Sequence, residues 1–401
     1  MSKVIIDENK IQELLIRSVE EVISLEHLKK RLLKGEKLRI KLGIDPTGDI
    51  LHLGHSIPLR KLRHFQDLGH QVVFLIGDFT AKIGDPSGRA GGRVPLTEEK
   101  IKENMKNYVK HADMILDMKE VEVRYNSEWF NSKKADFIMK LTSMFTYGQL
   151  KARREFRDRM KKGIDITLEE MLYPLLQGYD SVELRADVEI GGTDQKFNLT
   201  MGRRVQKKFR ASQQDIMTLS LLEGTDGERK MSKSYNNYIG LNEPPKQIFS
   251  KIMAIPDTLI WRYFNLLTDV ALEEIKEMRK ITTAMSFRDA KEKLAYEITK
   301  MYHGEKEAVS AREEFNRVFR EGEIPKDIAE TRIGKSKESI VSLLIETKLV
   351  SSSSEAKRLI SQNAVKVDGE VVSDWRMVLE ISSSRDIIIQ VGPRKFVKVK
   401  K

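Results

Sequence analysis

Residues Leu38 to His55 read LRIKLGIDPTGDILHLGH. A short alternating apolar run leads through Gly43-Ile44-Asp45-Pro46-Thr47 into His52-Leu53-Gly54-His55. Ser56 to Leu68 then place Ile57, Leu59, Leu62 and Phe65 at helical spacing, and Pro58 is tolerable there because the helix has barely begun. The order is strand, turn, helix, with two histidines at the helix entrance. A helix N-terminus offers unpaired N–H groups and a partial positive charge, which suits a phosphate. Gly54 carries no side chain, so a flat ring such as adenine could approach the backbone there. Taken alone, an HxGH tetrapeptide is a weak signal, since a loop with two surface histidines carries the same letters.

Working outward, Gln71 to Gly77 (QVVFLIG) is a continuous apolar run ending in glycine, as expected of a buried parallel strand. Strand, helix, strand in close succession is a βαβ unit, and such units predict an α/β, doubly wound parallel sheet. The run Gly84-Asp85-Pro86-Ser87-Gly88-Arg89-Ala90-Gly91-Gly92-Arg93 follows that strand. At the carboxyl end of a sheet it reads as a mobile cationic lid rather than an idle surface loop. Further on, Tyr173, Gln177 and Asp180 fall at i, i+4 and i+7 of a helix, on one face. That face could simply be solvated, but a phenol, an amide and a carboxylate in line also suit an amino-acid pocket. Val188 to Gln195 (VEIGGTDQ) reads as another strand ending in a glycine turn, with Asp194 and Gln195 at its carboxyl end.

Composition narrows the class. The chain has 401 residues, 40% hydrophobic and 33% charged, enough for two or three domains with sizeable cores. It has no apolar run long enough for a spanning helix, so no membrane association is expected. The opening MSKVIIDENK lacks a signal-peptide pattern, which leaves the cytoplasm as the expected compartment. Cysteine is absent, which excludes disulfides and thiolate zinc sites. Lys and Arg number 71 against 60 Asp and Glu, a net charge of +11 that favours a polyanionic partner. The segment Lys151 to Lys162 (KARREFRDRMKK) holds seven basic residues against two acidic ones, and Arg203 to Arg210 (RRVQKKFR) is a second cluster. A solvated helix face explains such runs as well as RNA backbone contact does.

Domain organisation follows from the same patterns. Residues Asn9 to Lys34 read as one or two leading helices. Residues 1–243 form the expected nucleotide-binding domain, with an inserted connective segment at about 112–185. Residues 244–328 read as helix after helix. Residues 329–336 read as a linker, and 337–401 as a small module of two helices and a hairpin, the hairpin marked by Asp368-Gly369 between β-branched runs. The stretch Lys335 to Lys401 holds 13 Lys or Arg against 8 acids. Ser354 before Glu355 reads as a helix start rather than a flexible tract.

A second signature, Lys230-Met231-Ser232-Lys233-Ser234, lies in a loop that Gly224 and Gly227 mark as mobile. The pair HLGH and KMSKS resembles the signatures of class I aminoacyl-tRNA synthetases. With YPLLQGYD (Tyr173–Asp180), GGTDQKFN (Gly191–Asn198) and GDPSGR (Gly84–Arg89), essentially the whole chain resembles the bacterial tyrosyl-tRNA synthetase family, in the branch that bears KMSKS. The tail SSEAKRLISQNAVKVDGEVV (Ser353–Val372) resembles the RNA-binding module named after ribosomal small-subunit protein S-four. The resemblance implies a Rossmann-like catalytic domain, an all-helical anticodon-binding domain and an α+β RNA-binding module. It also implies a homodimer that uses ATP with Mg2+, L-tyrosine and tRNA(Tyr), with no tightly bound cofactor and no protein metal site.

Carried over residue by residue, the resemblance implies that Asp180 accepts a hydrogen bond from the tyrosine hydroxyl, and that Tyr173, Gln177 and Asp85 hold its ammonium. Asp194 would bind the adenosine ribose, with Gly43, Asp45, Gly54 and Gly192 also at the nucleotide, and Gln195 the region of the carboxylate and α-phosphate. Thr47, His52 and His55 would surround the ATP phosphates. Lys230 and Lys233 would hold the departing pyrophosphate, helped by Arg89 and Arg93. The chain departs from the better-known branch at Lys41 and Leu42, where that branch carries tyrosine and cysteine. Leu42 cannot hydrogen-bond a ribose, and Lys41 does not replace a phenol contact in the same way. Two rival readings remain: a tryptophan-specific class I enzyme, and an RNA-binding or splicing protein on a synthetase fold.

Overall fold

The computed structural model describes residues 3–87, 96–281, 287–320, 329–383, 385–392 and 395–401. It divides into two compact units, Met1–Val309 and Ser310–Lys401. In the first, α1 (Glu8–Ile16), β1 (Val19–Ile23) and α2 (Leu25–Leu33) lead into β2 (Arg39–Ile44), α3 (Leu53–Asp67), β3 (Gln71–Ile76), α4 (Glu98–Ala112) and β4 (Val121–Tyr125). The short helices α5 (Ser127–Phe130), α6 (Ala135–Ser143), α7 (Tyr147–Lys151) and α8 (Arg154–Lys161) follow. Then come α9 (Leu168–Glu183), β5 (Val188–Gly192), α10 (Lys196–Lys208) and β6 (Asp215–Leu219).

The six strands form one sheet in the order β1-β6-β5-β2-β3-β4, parallel throughout except for β1, which runs antiparallel to β6 at the edge. From β2 the chain steps outward to β3 and β4, then returns to place β5 and β6 on the other side. That reversal opens a crevice at the carboxyl ends of β2 and β5, where doubly wound sheets bind ligands. In β3, Val72 to Ile76 are at most 2% exposed, so both faces are covered and the run carries no polar alternation. Each such side chain contributes about 1.5–3 kcal/mol by burial.

Four expectations need correction. Val19, Val22 and Ile23 were read with a leading helix, but they form the edge strand β1. Ser18 and Ser24 adopt left-handed backbone at φ 60° and 71°, which breaks the helix on either side, and the β-branched residues between them suit a strand. Pro58 lies a full turn into α3, which starts at Leu53, so the helix forgoes the bond that residue 58 would donate to Gly54. The segment 112–185 is not wholly an insertion: β4 extends the sheet beyond β3, and α9 packs on α10. Gly178 permits that approach, because a Cβ there would meet Val205 Cγ2 at 2.7 Å.

The fourth correction concerns the stretch 329–336. The helices α11 (Pro245–Met253), α12 (Ile260–Leu267), α13 (Leu272–Ile281), α14 (Phe287–His303) and α15 (Glu305–Arg320) fall where apolar spacing put them. α11 to α14 belong to the same compact unit as the sheet, and buried Arg17 donates to the carbonyls of Thr268 and Val270. In the second unit β7 (Ala329–Arg332) and β8 (Lys337–Ser339) precede α16 (Ile340–Glu346) and α17 (Ser353–Ser361). There follow β9 (Val365–Val367), β10 (Glu370–Val371), β11 (Val378–Glu380), β12 (Ile387–Val391) and β13 (Lys395–Lys400). β7 pairs in parallel with β13, and Ile333 is 1% exposed in the module's core, so the stretch read as a linker is part of the sheet. Local sequence could not announce a partner more than sixty residues away. The hairpin forms as read, with Asp368 and Gly369 at φ 49° and 89°. The serine run starts a helix rather than forming a flexible tract, but two residues earlier than Ser354: Ser352 caps α17 by accepting from the Glu355 N–H at 3.2 Å.

Candidate active site

The first signature sits where β2 gives way to α3. His52 caps that helix: its Nδ1 accepts from the Gly54 N–H at 3.1 Å, and His55 Nδ1 accepts from the His52 N–H at 3.2 Å. A neutral imidazole whose Nδ1 accepts carries its proton on Nε2. Burial, reinforced by His55 and the two signature lysines, holds His52 well below the usual histidine range. Burial, then Lys230 and Lys233, lowers His55 to about 3. Both rings are therefore neutral donors at Nε2. A Cβ on Gly54 would lie 3.0 Å from the His52 ring, so glycine at this position lets the His52 cap close on the helix entrance.

The loop between Asp45 and His52 is shaped from α4. Asn104 donates to the Pro46 carbonyl at 2.9 Å, Tyr108 Oη accepts from the Gly48 N–H at 3.2 Å, and His111 Nδ1 accepts from the Leu51 N–H at 3.3 Å. Thr47 lies in this loop, its N–H bonded to the Asp45 carbonyl at 2.7 Å. Gly43 faces outward at the end of β2, with ordinary contact distances around it.

On α9, Tyr173, Gln177 and Asp180 share a face as the spacing predicted. Tyr173 Oη donates to Asp45 Oδ2 at 3.0 Å, while Thr80 donates to Asp45 Oδ1 at 2.8 Å. Burial, with Asp45 and Asp85 nearby, pushes the Tyr173 phenol far up. Asp180 is 2% exposed; it accepts from Trp129 Nε1 at 3.0 Å and from Asn126 Nδ2 at 3.4 Å. Burial raises its carboxyl to about 7, against the opposing pull of Lys41 and those two donors. Asp85 and Gln195, far apart in sequence, are bonded directly at 2.6 Å, and Asp85 also accepts from Arg153 at 3.3 Å. Gly192 lets Asp194 fold back, since a Cβ there would lie 2.6 Å from Asp194 Oδ1.

The second signature meets the first. Lys230 pairs with Asp194 Oδ2 at 2.5 Å, and Lys233 pairs with Asp49. The backbones of Leu51–Leu53 and Ile239–Leu241 hydrogen-bond to each other at 2.9 Å in both directions. The loop read as mobile is anchored. Buried Asn237 accepts from the Ser232 N–H at 2.8 Å and donates to Asp226 at 3.0 Å, and Gly224 packs so closely on Asn237 that no Cβ would fit. A cavity of about 330 Å³ opens beside Lys230, lined by Thr193, Leu221, Leu222 and Arg262 among others. Arg89, Arg93 and most of the glycine-rich run expected to act as a lid lie outside the described residues.

Motif reading gives no role in the crevice to several of its residues: Lys41, Glu189, Trp129, Asn126, Thr80 and Arg153. For two of them a signal existed. After Arg39 at the start of β2, the runs IKLGI and VEIGG each carry one charge, of opposite sign, among apolar residues, and Lys41 and Glu189 are Cα partners across β2 and β5.

A doubly wound crevice that joins these two signatures defines a class I tRNA synthetase, and residues 33–320 match the family of class I tRNA synthetases (W and Y). Residues 320–399 match the tyrosine–tRNA ligase SYY-like C-terminal domain. The chain is 47% identical to a tyrosine–tRNA ligase of Thermotoga maritima over 96% of either chain. It is 48% identical to that of Bordetella pertussis over 91% of this chain and 89% of the relative. The chain thus belongs, within class I, to the tyrosine–tRNA ligase family. Solved structures share the fold. A C-terminally truncated Aspergillus nidulans mitochondrial tyrosyl-tRNA synthetase matches with TM-score 0.67 at 23% identity, covering 78% of this chain and 95% of that one. An Archaeoglobus fulgidus tyrosyl-tRNA synthetase complexed with L-tyrosine matches with TM-score 0.58 at 23% identity, covering 76% and 100%.

Proposed function

We propose that the crevice activates L-tyrosine with ATP to tyrosyl-adenylate and then passes the tyrosyl group to the terminal ribose of tRNA(Tyr). The observation that carries the choice of tyrosine is Asp180, a buried acceptor at the end of the polar face of α9. Its two oxygens accept from Trp129 and Asn126 and keep further lone pairs, which the tyrosine hydroxyl can meet as a donor. An indole N–H would also satisfy a carboxylate, but the relatives that align over nearly the whole chain are tyrosine–tRNA ligases.

The tyrosine carboxylate, already ionised, attacks the α-phosphate in line and pyrophosphate leaves, so the first step needs no general base. Catalysis is then positioning and charge stabilisation. Tyr173, Gln177 and Asp85 hold the ammonium, and Gln195 guides the carboxylate to the α-phosphate. Asp194 takes the ribose, which requires it to release Lys230. Thr47 and the Nε2–H donors of His52 and His55 line the phosphates, joined by the backbone at Gly43, Asp45 and Gly54. Lys230 and Lys233 neutralise the pyrophosphate, with Arg89 and Arg93 beside them. In the second step a ribose hydroxyl of tRNA attacks the acyl carbon and AMP departs. Magnesium would come with ATP and would help neutralise the charge on its phosphates. The enzyme works as a homodimer in the cytoplasm; no described helix is long and apolar enough to cross a membrane.

ATP–pyrophosphate exchange with each amino acid tests the reading: tyrosine alone should support exchange, and a preference for tryptophan would overturn it. Asp180 makes the test sharper. Only its ionised form accepts at both oxygens, so kcat/KM for tyrosine should fall as pH drops through about 7. Asp180→Asn should remove that acid limb and lower the tyrosine-over-phenylalanine ratio by about tenfold, the difference between a charged and a neutral acceptor. A ratio at the parent value would show that Asp180 does not read the hydroxyl.

A further inference from the structure

Lys41 and Glu189 meet across adjacent parallel strands, with their side chains 0% and 1% exposed. Lys41 Nζ lies 2.8 Å from Glu189 Oε1, donates to Ser181 Oγ at 2.8 Å and to the Gln177 carbonyl at 3.2 Å. An ammonium has three protons, and each has an acceptor. Glu189 in turn accepts from Gln177 Nε2 at 3.3 Å, from Ser181 Oγ at 3.1 Å and from Gln214 Nε2.

A buried ion pair is a poor way to stabilise a sheet, because desolvation of both ions offsets their attraction and apolar residues of similar volume serve as well. What apolar residues could not do is grip α9. The pair contacts Gln177 twice, once on its backbone and once on its amide, and it contacts Ser181, the neighbour of Asp180. The charged and titratable groups acting on Asp180 come from several elements. They are Lys41 on β2 and Glu189 on β5, with the donors Asn126 and Trp129 at α5, and Tyr173 is coupled to it along α9. After burial, Lys41 has the largest influence among them.

We propose that Lys41 is a positioning residue for tyrosine recognition: clamped by Glu189 and Ser181, it holds the Gln177 carbonyl, keeps Glu189 in place to hold the Gln177 amide, and presents its charge to Asp180. It acts through Gln177 and Asp180, and the inference rests on the tyrosine reading of the same site.

The test compares Lys41→Met, Lys41→Arg and the double variant Lys41→Met/Glu189→Gln with the parent in ATP–pyrophosphate exchange, using tyrosine and phenylalanine between pH 6 and 9. Lys41→Met should move the acid midpoint of kcat/KM for tyrosine upward by about one pH unit, which corresponds to ~1.4 kcal/mol. It should lower the tyrosine-over-phenylalanine ratio about tenfold while KM for ATP stays within about twofold. Lys41→Arg, which keeps the charge, should retain most of the parent midpoint and ratio. A purely structural pair would instead lower the melting temperature and leave midpoint and ratio at parent values, and that result overturns the proposal. If Lys41→Met fails to fold, the double variant, which buries no unpaired charge, is read in its place: the midpoint should still move upward, by less because the opposing charge of Glu189 is lost too, and an unmoved midpoint with an unmoved ratio overturns the proposal. Should Asp180→Asn leave discrimination intact, the tyrosine reading itself fails. Should Asp180→Asn act while the Lys41 variants match the parent, only the role of Lys41 fails.

Discussion

Lys233→Ala is expected to slow tyrosyl-adenylate formation by about 30- to 1,000-fold, or ~2–4 kcal/mol in the transition state, while tyrosine affinity stays within about twofold. The expectation comes from where the ammonium rests. It is paired with Asp49, whose side chain is 51% exposed, on the loop that carries Thr47. Surface pairs of this kind contribute little, about 0–1 kcal/mol, so the lysine gives up its partner readily when a phosphate arrives. Charge then builds on the pyrophosphate oxygens as the α-phosphate bond breaks, and a cation already in the crevice stabilises that change without reorganising. Single-turnover stopped-flow measurements with tyrosine and ATP decide the matter: a rate within twofold of the parent would remove Lys233 from the chemistry. Asp49→Asn is the matching control and should leave the rate near the parent value, because the resting pair is only a parking place.

Ending the chain after Arg320 is expected to leave adenylate formation within about twofold of the parent and to weaken tRNA binding on the order of 100-fold at low salt. All residues placed in the crevice precede residue 242, so the first step does not call on the second unit. The cut cannot be made within 329–336, since that would strip β7 from β13 and tear Ile333 from its core. The removed module is basic, with 13 Lys or Arg against 8 acids from Lys335 on. It also exposes Trp375, over whose ring Lys357 Nζ and the Arg376 guanidinium lie at 4.2 and 4.6 Å. Phosphate contacts make affinity fall steeply with salt, so truncation should flatten that slope. If truncation lowers the melting temperature but leaves the slope unchanged, the module is a packing element and not an RNA contact.

Much of the proposed site is legible in the letters because the chemistry proposed for it demands specific side chains at fixed local spacing. Two histidines at a helix entrance, two lysines in one loop and a phenol, amide and carboxylate on one helix face are short-range patterns, and the structure gathers them into one crevice. What could not be read depends on contacts between distant segments. Asn126 and Trp129 reach Asp180 from a single-turn helix without a motif of its own. Asn104, Tyr108 and His111 lie at i, i+4 and i+7 of α4, which looks like an ordinary amphipathic face until the loop they hold is seen. Lys41 stood out only as a departure from a family pattern; its partner in the next strand explains why a charge is tolerable there. Strand β1 was lost because Val19, Val22 and Ile23 also fit a helical period, and short apolar segments do not decide between the two.

Asp180 also links substrate recognition to the endurance of the fold. A carboxyl that titrates near 4 in the unfolded chain titrates near 7 in the folded one. Between those values the native protein takes up a proton that the unfolded chain does not, so stability rises as pH falls from about 7 toward 4. Above pH 7 the ionised form, the one proposed to read the hydroxyl, opposes folding by on the order of 4 kcal/mol. On that proposal a bound tyrosine would relieve the opposition by donating to the buried oxygen, and phenylalanine could not. Thermal shifts should therefore be larger for tyrosine at pH 8 than at pH 6, and larger than those of phenylalanine at pH 8. A cell short of tyrosine would then hold this enzyme in its most fragile form.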